Sequence, residues 1–270
     1  MGLFKNIITR AMHRQLSRLD SLYQRHAGEE CYIFGNGVSL KWMDLHQFSN
    51  KMSIVGNFGI YHKEASALKI PYYTIIQPYF SWPYSIDDNR LLRLSKNNLY
   101  KEFCKSIVQN PKTLFFLNFS CYPIAKFDNV VFVSRYYKPP FELRNPFKDR
   151  DDSHIGTLRF QISLAIFLGF KKAYLVGHDY THFPSRAAHF YEKGSGKSCA
   201  NKDFCAEFIN YAKPSIELVT VTLDSVSETM DYVTYKALTG KEPRFRENIE
   251  ILDRDKLENL DNSNRNYEIF

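Results

Sequence analysis

No stretch of this sequence is apolar for long enough to cross a membrane as a helix. The longest candidate, Leu158 to Gly177, is interrupted by Arg159, Gln161, Lys171 and Lys172, and it divides better into a helix and a strand. A secretory signal is also missing, because no continuous apolar core leads to a small-residue cleavage site. Cysteine is scarce. Cys31, Cys104, Cys121, Cys199 and Cys205 are odd in number and scattered, with no C-x-x-C pair, which fits free thiols in a reducing cytoplasm. Nor is there a helix-turn-helix, an aromatic ribonucleoprotein motif or zinc-finger spacing, so nucleic acid is not the expected partner.

What is present suits a globular α/β protein. The 270 residues are 44% hydrophobic and 24% charged, enough for one α/β domain with an insertion. The 22 Phe and 18 Tyr fit an aromatic-heavy core or stacking surfaces for sugars and bases. A net charge of +7 favours anionic partners such as phosphates, nucleotide-sugars, acidic glycans or an anionic membrane surface.

Residues 2–26 carry apolar side chains at helical spacing (Leu3, Phe4, Ile7, Ile8, Ala11, Leu16, Leu19, Leu22) with Lys5, Arg10, Arg14, Arg18 and Arg25 on the other faces. A basic amphipathic helix over 1–28 is therefore expected. It would lie on the anionic inner face of the cytoplasmic membrane, or pack on the protein's own core or on a second copy in a homo-oligomer.

The chain is organised around Cys31–Leu40. A β-prone run ends in Gly35-Asn36-Gly37, followed by Ser39. Such a run reads as a buried parallel strand feeding a tight turn, which in a doubly wound sheet faces the ligand crevice. Only half of the fingerprint G-x-G-x-x-G is there, which argues against NAD. Two more apolar strands end in carboxamides, at Asn57 and Gln77. In a parallel sheet the three amides share one edge. Further strands are expected at 113–119 and 130–134, with a helix between Leu91 and Gln109. The run Asp149-Arg150-Asp151-Asp152 formally matches a metal-binding Asp-x-Asp, but it sits in a charged loop rather than at a strand end.

Gly156-Thr157 then opens a largely apolar helix stopped by Gly169, whose N-terminus offers an anion site. The strand after it ends at Gly177-His178-Asp179-Tyr180. Residues 179–200 are polar, with His182, Arg186, His189 and Tyr191, and read as a mobile lid. The Gly-Ser-Gly-Lys-Ser run at 194–198 does not have phosphate-loop spacing. A helix (202–212) and a strand (217–221) complete the domain, and 251–270 reads as a polar tail. The expected fold is α/β: one Rossmann-like domain (29–178 and 201–250) with a mainly parallel sheet.

Together, residues 33–41 and 156–180 resemble the bacterial sialyltransferases of the Campylobacter lipooligosaccharide type. The resemblance extends to a wider group: CMP-Kdo transferases, motility-associated transferases of sialic-acid-like sugars, and pterin pyrophosphokinase-like domains. It implies a GT-A-like variant of the Rossmann fold. It also implies an inverting transfer of sialic acid or a Kdo-like 2-keto sugar acid from a CMP-activated donor to a bacterial glycan, with no metal or other cofactor. Asn36, Asn57 and Gln77 fall at the family's donor-binding amides, and Thr157 at the hydroxyl that helps hold the donor carboxylate. Gly35, Gly37, Ser39, Gly156, Gly177, Asp179 and Arg186 complete the implied donor site. His189 stands nearest the family's catalytic base, with His182 in reserve; Tyr180 and Tyr191 stand for the tyrosines that help the phosphate depart. Where the family has an arginine before the hydroxyl, this chain has His154.

Histidine suits a base at neutral pH, and phenols or arginine suit a departing phosphate. Two rivals stay open. An ATP-dependent pyrophosphokinase-like domain would need Mg²⁺ held by acids such as Asp179 and the 149–152 cluster. A non-catalytic nucleotide- or glycan-binding module would bind without turnover.

Overall fold

A computed structural model describes residues 18–75, 90–118, 127–133, 156–199, 206–263 and 269. Gln77, the Asp149–Asp152 run, His154 and residues 2–17 of the expected N-terminal helix lie outside the described residues.

The architecture is an eight-stranded sheet in which every described pairing is parallel. Its strands are β1 (Glu30–Phe34), β2 (Met52–Gly56), β3 (Lys69–Ile75), β4 (Leu114–Asn118), β5 (Val130–Val133), β6 (Lys172–Val176), β9 (Glu217–Thr222) and β10 (Asp231–Thr234). Two short strands, β7 (Ser185–Ala187) and β8 (Lys197–Cys199), form a separate antiparallel hairpin. The order β10-β9-β6-β1-β2-β3-β4-β5 places the reversal of winding between β1 and β6, the position at which such sheets open a ligand crevice.

The strands read as continuous apolar runs because both faces are covered. In β1, Tyr32 and Phe34 enter one core cluster while Cys31 and Ile33 enter the other. The first cluster gathers Leu99, Phe103 and Ile107 of the helix Arg90–Gln109, and the second gathers the helices Thr157–Leu168 and Ala206–Ala212. Gly169 closes the helix Thr157–Leu168 at φ 89°, a left-handed value that glycine adopts without a Cβ penalty.

Four expectations need correction. The N-terminal helix does not run to residue 26. Among described residues it covers 18–20 and gives way to turns, with Leu19 and Leu22 packed in the second core cluster. That end of the amphipathic face is therefore core. Residues 251–270 are not a polar tail either. The helix Arg254–Ser263 lies against Arg90–Gln109 and buries Leu257 and Leu260, while its acids and bases occupy the outer face. The strand β10, four residues of Asp-Tyr-Val-Thr, falls where only helix was expected.

The expected lid, 179–200, is the β7–β8 hairpin, and the backbone fastens it to the first turn. Val38 N–H donates to Ala188 C=O at 3.1 Å and Phe190 N–H to Asn36 C=O at 3.0 Å. Among the described residues, no helix is long and apolar enough to cross a membrane. Cys31, Cys104 and Cys199 are free thiols.

Candidate functional site

The turns after β1, β2 and β6, the N-terminus of the helix Thr157–Leu168 and the β7–β8 hairpin enclose a cleft of about 660 Å³. It lies at the carboxyl edge of the sheet.

The two motif blocks make this geometry by packing on each other. A Cβ on Gly35 would lie 2.3 Å from the Gly177 carbonyl oxygen, and one on Gly37 would lie 2.5 Å from the Asp179 carboxyl carbon. No side chain fits at either position. Asp179 then accepts the Ser39 backbone N–H at 2.9 Å and the Ser39 hydroxyl. Burial pushes this carboxyl up, opposed by its Ser39 hydrogen bond and by nearby His182.

Asn36 donates through Nδ2 to the Gly56 carbonyl at 3.3 Å, and Asn57 donates to the Thr157 hydroxyl at 3.0 Å. Both side-chain oxygens are buried with no hydrogen-bond partner among the described residues, so each can accept from a ligand. Asn57 holds φ 53°, a left-handed conformation that asparagine tolerates better than most residues. The helix Thr157–Leu168 starts from Gly156, which supplies no side-chain cap, so its first N–H groups face the cleft wall formed by Gly156, Thr157, Leu158 and Arg159.

The hairpin supplies the remaining groups. Arg186 reaches the cleft with its guanidinium 5.0 Å from the Trp42 ring centroid. Tyr180 is exposed at the rim, its hydroxyl 3.5 Å from His178 Nδ1. His178 is fully buried and is pushed down to about 3 by burial and by neighbouring His182. His189, 39% exposed, faces Glu192 through Nδ1 at 2.5 Å.

Of the residues expected from sequence, the cleft brings together Gly35, Asn36, Gly37, Asn57, Gly156, Thr157, Gly177, Asp179, Tyr180, Arg186 and His189. Ser39 does not line it. It is buried beneath, holding Asp179. Tyr191 does not line it either: at 2% exposure its ring packs edge-on against Phe58 and lies under His189. His182 is buried beside Asp179, with burial pushing its imidazole down against the opposing pull of that carboxyl.

No protein-family model matches the chain, and no curated protein matches it. Among solved structures it is similar to the Campylobacter jejuni sialyltransferase CstII in complex with a substrate analogue, cytidine-5'-monophosphate. That match has a TM-score of 0.48 at 14% identity, covering 88% of this chain and 99% of that one. It is also similar to the same enzyme with a trisaccharide acceptor and CMP (TM-score 0.46, 14% identity, 87% and 100% covered). A third similar structure is its complex with CMP-3FNeuAc (TM-score 0.46, 14% identity, 87% and 99% covered). At such identity the chemistry rests on the cleft's own residues.

Sequence reasoning missed several of these. Arg159 brings a cation two residues after Thr157, a spacing legible once the helix start is fixed. His178, Ser185 and Cys199 also line the cleft, with Ser185 Oγ 2.9 Å from Cys199 Sγ. Glu192 was signalled only by its three-residue step from His189.

Proposed function

We propose that this chain is a glycosyltransferase that moves a sialic acid, or a related 2-keto sugar acid, from a CMP-activated donor to a glycan acceptor. A surface glycan of the lipooligosaccharide or capsule kind is the acceptor that the sequence resemblance implies. One observation carries the reading. Two buried amide oxygens, a helix N-terminus, two arginines and a carboxylate-paired histidine converge on one cleft at the winding reversal.

In this reading Asn36 and Asn57 take donors on the nucleotide. The first N–H groups of the helix Thr157–Leu168, the Thr157 hydroxyl and Arg159 receive the sugar carboxylate. His189 removes the acceptor proton, and the acceptor oxygen attacks through an oxocarbenium-like state. Arg186 and Tyr180 meet the charge on the departing phosphate. No divalent ion is needed in this scheme. Supporting that, the single carboxylate lining the cleft among the described residues, Asp179, is already held by Ser39.

The test is CMP release from CMP-sialic acid and CMP-Kdo in the presence of a chelator, with a panel of glycan acceptors. His189→Ala should lower turnover about 10²- to 10⁴-fold with donor binding kept, the usual range for loss of a general base. Consumption of ATP with Mg²⁺, and of no CMP-sugar, would favour the pyrophosphokinase alternative instead.

A further inference from the structure

We infer that Glu192 is a positioning residue that fixes the tautomer and orientation of His189. Its carboxylate Oε1 accepts the His189 backbone N–H at 2.8 Å and faces the ring Nδ1 at 2.5 Å. An ionised carboxylate only accepts, so Nδ1 carries the ring proton and Nε2 is left as the basic nitrogen. The ring plane is set independently: the imidazole stacks on Tyr191 at 4.9 Å between centroids and 9° between planes.

Glu192 is itself held by the first turn of the fold. Its N–H donates to His189 C=O at 3.0 Å, closing a tight turn. Lys41, fully buried, donates from Nζ to the carbonyls of Glu192 at 2.5 Å and Gly194 at 2.7 Å. A lysine with no exposure is costly to keep, and here its ammonium is spent on the backbone that carries Glu192. Asp179 is the other carboxylate within electrostatic reach of His189, and it is already engaged by Ser39.

The consequence is for catalysis, and it rests on His189 being the base of the proposed transfer. The acceptor O–H bond breaks as Nε2–H forms. The new glycosidic C–O bond forms as the donor C–O bond breaks, with its electron pair leaving on CMP. The imidazolium so produced lies against the Glu192 carboxylate, which stabilises the positive charge.

Long-range ¹H–¹⁵N correlation of imidazole-labelled protein above neutral pH reads the tautomer directly, the His189 signals being those absent from His189→Ala. Wild type should carry the proton on Nδ1. Glu192→Ala should lose that preference and lower kcat for a CMP-sugar about 10²-fold with donor KM unchanged. Glu192→Gln, which keeps an acceptor oxygen but not the charge, should retain the Nδ1–H tautomer and still lose turnover. A merely structural role would not separate these two readouts. A proton on Nε2 in wild type, or a tautomer indifferent to both substitutions, overturns the inference. The predicted tautomers in a protein that consumes no CMP-sugar would uphold the positioning and reject the transferase reading.

Discussion

Thr157 separates contact with the sugar from contact with the nucleotide. Its hydroxyl accepts from Asn57, and the helix cap belongs to Gly156, so removing it should not unravel the helix. Thr157→Ala should therefore reduce use of the full donor about 10-fold more than it weakens CMP, which lacks the sugar carboxylate. Parallel binding isotherms check this, and equal losses would place Thr157 outside the sugar subsite. A second residue-scale prediction concerns pH. Burial pushes His62 down to about 4 and His178 to about 3, so both stay neutral in the folded chain while they protonate in the unfolded one. The unfolded state then binds more protons, and stability falls as pH drops from about 6.5 to 4. Each such histidine adds about 1.4 kcal/mol per pH unit to that slope. His62→Gln, remote from the cleft, should flatten the slope by one proton's worth in urea melts at successive pH values. At this scale glycines and amides were legible, because turn chemistry and close approach leave few alternatives. Ser39 and Tyr191 were not. Whether a polar residue faces a ligand or a buried neighbour depends on partners 140 residues away, as with Ser39 and Asp179.

Among the elements, the two helices that close the chain's ends explain the misread boundaries. Leu257 and Leu260 sit in a segment whose acids and bases dominate its composition, and two buried leucines suffice to seat it on the helix Arg90–Gln109. Leu260→Ala should cost about 2 to 5 kcal/mol, the range for a buried leucine. A polar tail would give less than about 0.5 kcal/mol in the same denaturation experiment. The hairpin teaches a similar lesson. A polar, glycine-containing run reads as a loose lid, yet Gly37 and His189 form a β-bridge and Lys41 ties down the turn beyond it. Sequence displays the polarity of such a segment but not the backbone pairing that fixes it.

For the whole molecule, the parallel sheet was the most legible feature, because strands buried on both faces must be apolar throughout. Convergence of strand ends on one edge followed from that parallelism, and Asn36 and Asn57 do meet at the cleft. The account's central claim is that this edge binds the CMP moiety without a divalent ion. Isothermal titration of CMP into the protein in chelator-containing buffer tests it most directly, with Asn36→Ala and ATP with and without Mg²⁺ alongside. The account predicts saturable binding at one site per chain for CMP, weakened about 10-fold or more in Asn36→Ala, and no Mg²⁺-dependent binding of ATP. CMP heats indistinguishable from dilution, or binding of ATP only once Mg²⁺ is supplied, would contradict it.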